Sequence, residues 1–167
     1  MERFDLVVIG GGPSGFAAVM RGLDFGKRVA LVEKAKVGGA GIFNGALSSK
    51  TLWEMSEAYL QTRQTNHGYT VHDCELSYPA VIHEMHHAVG EKHRQLREQL
   101  NYFRRSGHLS EYPGHGKLLD ANRIEITLKD GGTEIIHADH IVLAIGSRTR
   151  YLPEIPIDEK TILTSDG

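Results

Sequence analysis

The chain opens on a short, nearly unbroken apolar run, Phe4 to Ile9, the pattern of a strand covered on both faces. Glycines follow, and then Phe16 to Phe25, rich in Ala, Met and Leu, predicts a helix stopped by Gly26. Arg28 to Val32 predicts a second buried strand, so the chain opens on a strand–helix–strand unit with parallel strands and a right-handed crossover. Gly38 to Gly45 predicts a loop, Ala46 to beyond Leu60 a helix, and Tyr69 to Ser77, which has no clear period, a connection. From Pro79 to Arg105 the pattern predicts one long helix, with Ile82, Met85, Val89, Leu96, Leu100 and Phe103 as its apolar stripe. Gly107 to Gly116 holds a short strand and a tight turn. Arg123–Leu128 and Thr133–His137 alternate and are joined by Lys129-Asp130-Gly131-Gly132, a hairpin signal. His140 to Ile145 predicts a further buried strand, and the tail from Tyr151, with Pro153 and Pro156, an extended linker. The fold class is therefore α/β, with residues 1–150 as one domain and 151–167 as linker.

Composition adds little to this picture. Of 167 residues, 40% are hydrophobic and 24% charged, which suits one domain with a real core. A formal charge of −2 gives no electrostatic reason to expect nucleic acid or an anionic membrane as partner. No stretch reaches the roughly 18–20 apolar residues that cross a bilayer. The N-terminal apolar run ends in glycines rather than in a cleavage site, so no secretory leader is expected. Cys74 is the only cysteine; no intrachain disulfide is available, and a reducing cytoplasm is the expected compartment.

Chemistry enters with Gly10-Gly11-Gly12-Pro13-Ser14-Gly15, which fits G-x-G-x-x-G directly after a strand and at the opening of a helix. Gly10 permits the tight turn, Gly12 admits a pyrophosphate to the backbone, and Gly15 lets helix and strand pack closely. The helix entrance offers unpaired N–H groups and a partial positive charge. Glu33 ends the second strand, 18 residues after Gly15, where a carboxylate accepts from an adenosine ribose and repels a 2′-phosphate. This unit predicts a dinucleotide but does not separate FAD from NAD.

Two further segments carry a family resemblance. Gly38-Gly39-Ala40-Gly41-Ile42-Phe43-Asn44-Gly45-Ala46-Leu47-Ser48-Ser49-Lys50 resembles, at matching length, the GGTCxNxGCxPSK signature of the pyridine nucleotide–disulfide oxidoreductases. Ile141-Val142-Leu143-Ala144-Ile145-Gly146-Ser147 resembles the family strand that ends in A-T-G-S. The helix pair between them is similar to that of the dihydrolipoamide dehydrogenase and soluble transhydrogenase branches, and the resemblance covers essentially the whole chain. It implies a Rossmann-like FAD-binding domain whose parallel sheet carries an inserted three-stranded antiparallel meander. It implies Gly10, Gly12, Pro13, Ser14 and Gly15 around the FAD pyrophosphate, with Glu33 on the adenosine ribose and Lys34 beside it. Gly38, Gly39, Ala40 and Gly41 would run along the pyrophosphate and ribityl chain. Gly116 would lie by the adenine, and Ile145, Gly146 and Ser147 would make a second strand-end contact. Lys50 falls at the family lysine near flavin N5, where a cation stabilises negative charge, and is the one catalytic candidate.

The departures are equally informative. The two redox cysteines of the signature fall at Gly41 and Ala46, its threonine at Ala40 and its proline at Ser48. Neither Gly41 nor Ala46 forms a thiolate, which contradicts electron transfer to a local dithiol. A second dinucleotide unit and the dimerisation domain are absent, so the resemblance implies a fragment, inactive alone and binding FAD weakly. The intact homodimer would take hydride from NADH or NADPH through a domain absent here. The alternatives are a redox-inactive FAD- or dinucleotide-binding module that keeps only the fold, and a flavoprotein of the tRNA-modifying kind, which lacks the S-S-K segment.

Other patterns yield to blander readings. His83-Glu84-Met85-His86-His87 fits H-E-x-x-H, but no third ligand is evident and ten histidines make chance matches easy, so no metal site is expected. Arg94, Arg97, Arg104 and Arg105 are interspersed with Glu91, Glu98 and Glu111, which predicts a solvated charged face. Trp53 and Tyr59 are expected to be packing residues, and Cys74 a half-buried thiol.

Overall fold

A computed structural model describes residues 1–64 and 68–164. Its elements are β1 (Arg3–Ile9), α1 (Pro13–Asp24), β2 (Val29–Val32), α2 (Gly39–Ile42), α3 (Ala46–Thr62), α4 (Tyr78–Arg105), β3 (Leu109–Tyr112), β4 (Gly114–Leu118), β5 (Arg123–Leu128) and β6 (Thr133–Leu143). One six-stranded sheet runs in the order β3-β2-β1-β6-β5-β4. β1 pairs parallel with β2 (Leu6 to Val29, Ile9 to Val32) and β2 parallel with β3, while β4, β5 and β6 form an antiparallel meander. The α/β class and the parallel core are thus as the pattern predicts, and the meander is as the family resemblance implies.

The core divides at the parallel strands. On one face Val8, Val29 and Leu31 pack with Val19 and Leu23 of α1 and with Val89, Leu96 and Leu100 of α4. On the other, Val7, Ile9, Ala30 and Val32 pack with Ile124, Ile126 and Ile136 of the meander. Strands covered on both sides read as continuous apolar runs, and this one does.

Four expectations need correction. α1 begins at Pro13 rather than Phe16, because proline's fixed φ suits the first helical turn and its missing N–H is not needed there. The segment expected as loop from Gly38 to Gly45 contains one helical turn, α2. Thr133–His137 and His140–Ile145 are not two strands but one, β6, which ends at Leu143. Asp139, which looks like a break, sits at the surface on the Arg3 guanidinium (2.7 Å), so its charge is met without interrupting the strand. The N-terminal part of β6 pairs antiparallel with β5 as far as His137, and from there it pairs parallel with β1, Arg3 to His137 through Ile9 to Leu143. Nor is its second half buried. Val142 is 36% exposed, Leu143 57% and Ile145 71%. Among the described residues that stretch has β1 on one side and no strand on the other.

The hairpin turn is as expected: Gly131 adopts φ +91, and the Leu128 N–H donates to the Gly132 carbonyl at 2.8 Å. The stretch 69–77 carries no regular element. No helix among the described residues is long and apolar enough to cross a membrane.

Candidate cofactor site

The site is built where β1, β2 and β6 end together. Gly10 turns the chain out of β1 with φ +101, and its N–H donates to the Val32 carbonyl at 2.8 Å. A Cβ on Gly10 would lie 2.3 Å from the Ala144 carbonyl oxygen, and one on Gly15 would lie 1.8 Å from the Gly10 carbonyl oxygen. Those two glycines therefore close the strand–helix junction.

Gly12 is different. Its backbone is extended (φ −69, ψ −173), a conformation any residue adopts, and nothing lies within 4 Å of a Cβ placed there. It caps α1 without a side-chain hydrogen bond, and Pro13 and Ser14 beyond it are exposed, so the helix entrance faces open space.

Glu33 directly follows β2 and sets its carboxylate against this loop. Oε2 accepts the Gly11 N–H at 2.5 Å and Oε1 accepts the Ala35 N–H at 2.6 Å. A carboxylate offers about four lone-pair sites, so about two stay open to a neighbouring diol. Lys34 beside it is exposed.

The Gly38–Gly41 segment seats on the first loop. The Gly38 N–H donates to the Gly11 carbonyl at 2.7 Å, with φ +109 at Gly38. A Cβ on Gly39 would be 3.1 Å from Gly12 Cα, and one on Gly41 only 2.3 Å from Pro13 Cγ. Ala40 is exposed. The position of the first signature cysteine is thus closed as packed here. Ala46 begins α3 and is exposed; Ser48 and Ser49, near the same helix start, donate to the Gly45 carbonyl at 3.2 and 2.8 Å.

The remaining predicted residues are more scattered. Ile145, Gly146 and Ser147 follow β6, with Ile145 Cα 3.2 Å from the Cβ position of Gly10; all three are exposed. Gly116 sits on β4, where a Cβ would lie 3.3 Å from Ile9 and Val32 side-chain carbons, so it lets the meander close onto the parallel strands. Lys50 is exposed on α3. Two contributors were missed by sequence reasoning. Gly11 pins both Glu33 and Gly38 through its main chain, and Ala144 presents the carbonyl that Gly10 must clear. Their signal is only backbone proximity, which a residue pattern does not carry.

His83, Glu84 and His87 are exposed, and no group of three His, Cys, Asp or Glu is placed to hold a metal among the described residues. Arg94 pairs with Glu91 and Glu98 on the surface of α4, as the charged-face reading expects, while Arg97 crosses to Glu111 on β3. Trp53 is 65% exposed and so does not pack as expected, because α3 buries none of its residues. Cys74 is exposed rather than half-buried.

The family model described as pyridine nucleotide-disulphide oxidoreductase matches residues 4–166. The chain belongs to that family. It is 32% identical over 169 residues to dihydrolipoyl dehydrogenase 1, mitochondrial, of Arabidopsis thaliana, covering 99% of this chain and 32% of that protein. It is 33% identical to dihydrolipoyl dehydrogenase of Chlamydia trachomatis, covering 99% of this chain and 35% of that one. The chain therefore spans about a third of the length of these relatives. Among solved structures, the Cu(II) complex of the HOCl-induced flavoprotein disulfide reductase RclA from Escherichia coli aligns with a TM-score of 0.73 over 92% of this chain and 31% of that one. At 20% identity that likeness establishes the shared Rossmann-like fold.

Proposed function

We propose that this chain is the FAD-binding part of a flavin-dependent NAD(P)H oxidoreductase that delivers electrons to an acceptor other than a local disulfide. The observation that carries the reading is Gly12: neither its backbone angles nor any neighbouring atom requires glycine there, so the missing side chain leaves room for a ligand. A pyrophosphate at that point meets the uncapped amides of α1, where the helix end favours negative charge. Glu33, held by Gly11 and Ala35, then accepts from the adenosine ribose at the other end of the same group.

Bound FAD supplies a two-electron acceptor for hydride from a nicotinamide. Lys50, by its place in the signature, provides the cation that stabilises negative charge near the reducible end of the flavin. With glycine and alanine at the signature's cysteine positions and Cys74 as the single thiol, the chain has no dithiol to reduce. Electrons then pass outward, to a second nicotinamide nucleotide, a quinone or a dye. The same reading makes the complete enzyme a cytoplasmic homodimer with its nicotinamide-binding unit elsewhere in the protein.

Reconstitution tests this directly. Titration of the purified protein with FAD, read as a change in flavin fluorescence, should show saturable binding; no change up to the highest FAD concentration overturns the reading. Turnover of NADH or NADPH with a dye acceptor by the complete protein separates this proposal from a redox-inactive binding module.

A further inference from the structure

We infer that the groove between α4 and the edge strand β3 is a second binding site, one that takes a small organic anion, phosphorylated or carboxylated. The groove encloses about 480 Å³ and opens to solvent. Leu31, Val37 and Tyr112 give it an apolar floor, and it is lined by Lys36 from the loop after β2 and by Arg97 and Arg104 from α4. Such a surface suits a ligand with an apolar body and an anionic end.

On the outer face of α4, Arg94 is neutralised by Glu91 and Glu98. Within the groove, Arg97 is held by Glu111, but neither Lys36 nor Arg104 has an ion-pair partner among the described residues. The other carboxylate at the rim, Glu33, is tied to the Gly11 and Ala35 amides. Lys36 instead lies over the Phe43 ring, 5.2 Å from its centroid, and that ring meets His93 edge-on at 5.2 Å. Burial first, then the neighbouring Arg97 and Lys36 charges, hold the His93 imidazole below the ordinary value of 6.5. An anion in the groove offsets those cations and stabilises the imidazolium. The groove shares Glu33 with the proposed ribose contact but uses neither Gly12 nor the α1 entrance, so this inference does not rest on the flavin reading.

The test follows histidine resonances of the full chain by NMR during titration with inorganic phosphate and, separately, with citrate. His93 is assigned by its loss in His93→Gln. Saturable movement of His93, with its pH midpoint raised, is expected while His83 and His87 on the same helix stay put. A response to phosphate alone assigns a phosphorylated ligand, and one to citrate alone a carboxylated ligand. Lys36→Ala and Arg104→Ala should each weaken binding about tenfold. Both positions are exposed, so the parent unfolding midpoint is kept. A His93 signal that moves no more than that of His87, or a response that survives both substitutions, overturns the site. So does a response abolished by Gly12→Ala, which would put the anion at the glycine loop instead.

Discussion

Gly12 caps α1 and Gly15 lies in its first turn, three residues on, yet a methyl group has opposite consequences at the two. Gly15→Ala drives a carbon to 1.8 Å from the Gly10 carbonyl oxygen, and the junction must open. Denaturant unfolding should show a loss of at least about 3 kcal/mol. Gly12→Ala meets nothing, so stability should hold or rise by up to about 1 kcal/mol, while FAD affinity falls at least about tenfold. Flavin fluorescence quenching reads the second effect; an unchanged FAD affinity would remove the main support for the proposed function. Gly41 extends the argument to the signature. Gly41→Cys and Gly41→Ala should cost the same, about 1–3 kcal/mol, because the obstacle is a Cβ against Pro13 rather than a thiol. A double-mutant cycle with Pro13→Ala should recover part of that loss. Tyr112 adds a pH dependence. Burial first, then the Glu2 and Glu134 carboxylates, push its phenol from 10.0 up to about 12. The unfolded chain therefore releases this proton first on raising the pH. The stabilisation is complete below pH 10 and is lost as pH rises toward 12. Tyr112→Phe should abolish that part of the alkaline destabilisation in unfolding curves at pH 9 and 11.

Among the elements, β6 binds the two layers into one sheet. Ala138, fully buried, donates its N–H to Asn122 on the meander side while pairing with Phe4 of β1. Ala138→Pro removes that hydrogen bond in the middle of a strand and should cost about 3 kcal/mol or more, read as a lowered unfolding midpoint. The extents of α4 and β5 were legible because their apolar spacing matches the period of the element they form, and that of β1 because a strand covered on both faces reads as an unbroken apolar run. The junction in β6 was not. Asp139 lies between the two predicted strands, and only the fold shows that its carboxylate faces the surface beside Arg3, more than a hundred residues earlier, so that the strand runs on through it. The α2 turn was equally hidden, since Gly38–Gly41 has poor helical propensity and is held by packing on the first loop.

For the molecule as a whole, the notable surface is apolar. Trp53 on α3, Tyr102 on α4 and Leu143 and Ile145 at the end of β6 are all more than half exposed. Apolar groups along a strand whose outer edge lacks a neighbour invite association. Sedimentation velocity should show the isolated chain self-associating, and Leu143→Lys with Ile145→Lys should reduce that while changing stability by no more than about 0.5 kcal/mol. If both forms sediment as monomers, these exposed groups do not drive association.

The sequence by itself determined the alternation of strands and helices, the glycine loop and the acid that follows β2, because each depends on spacing along the chain and on the size of one residue. Tertiary structure alone decided that Gly11 locks Glu33 in place, that position 41 has no room for a side chain, and that one strand serves two layers. Those outcomes depend on which distant atoms share a few ångströms of space, and a linear pattern does not encode that distance.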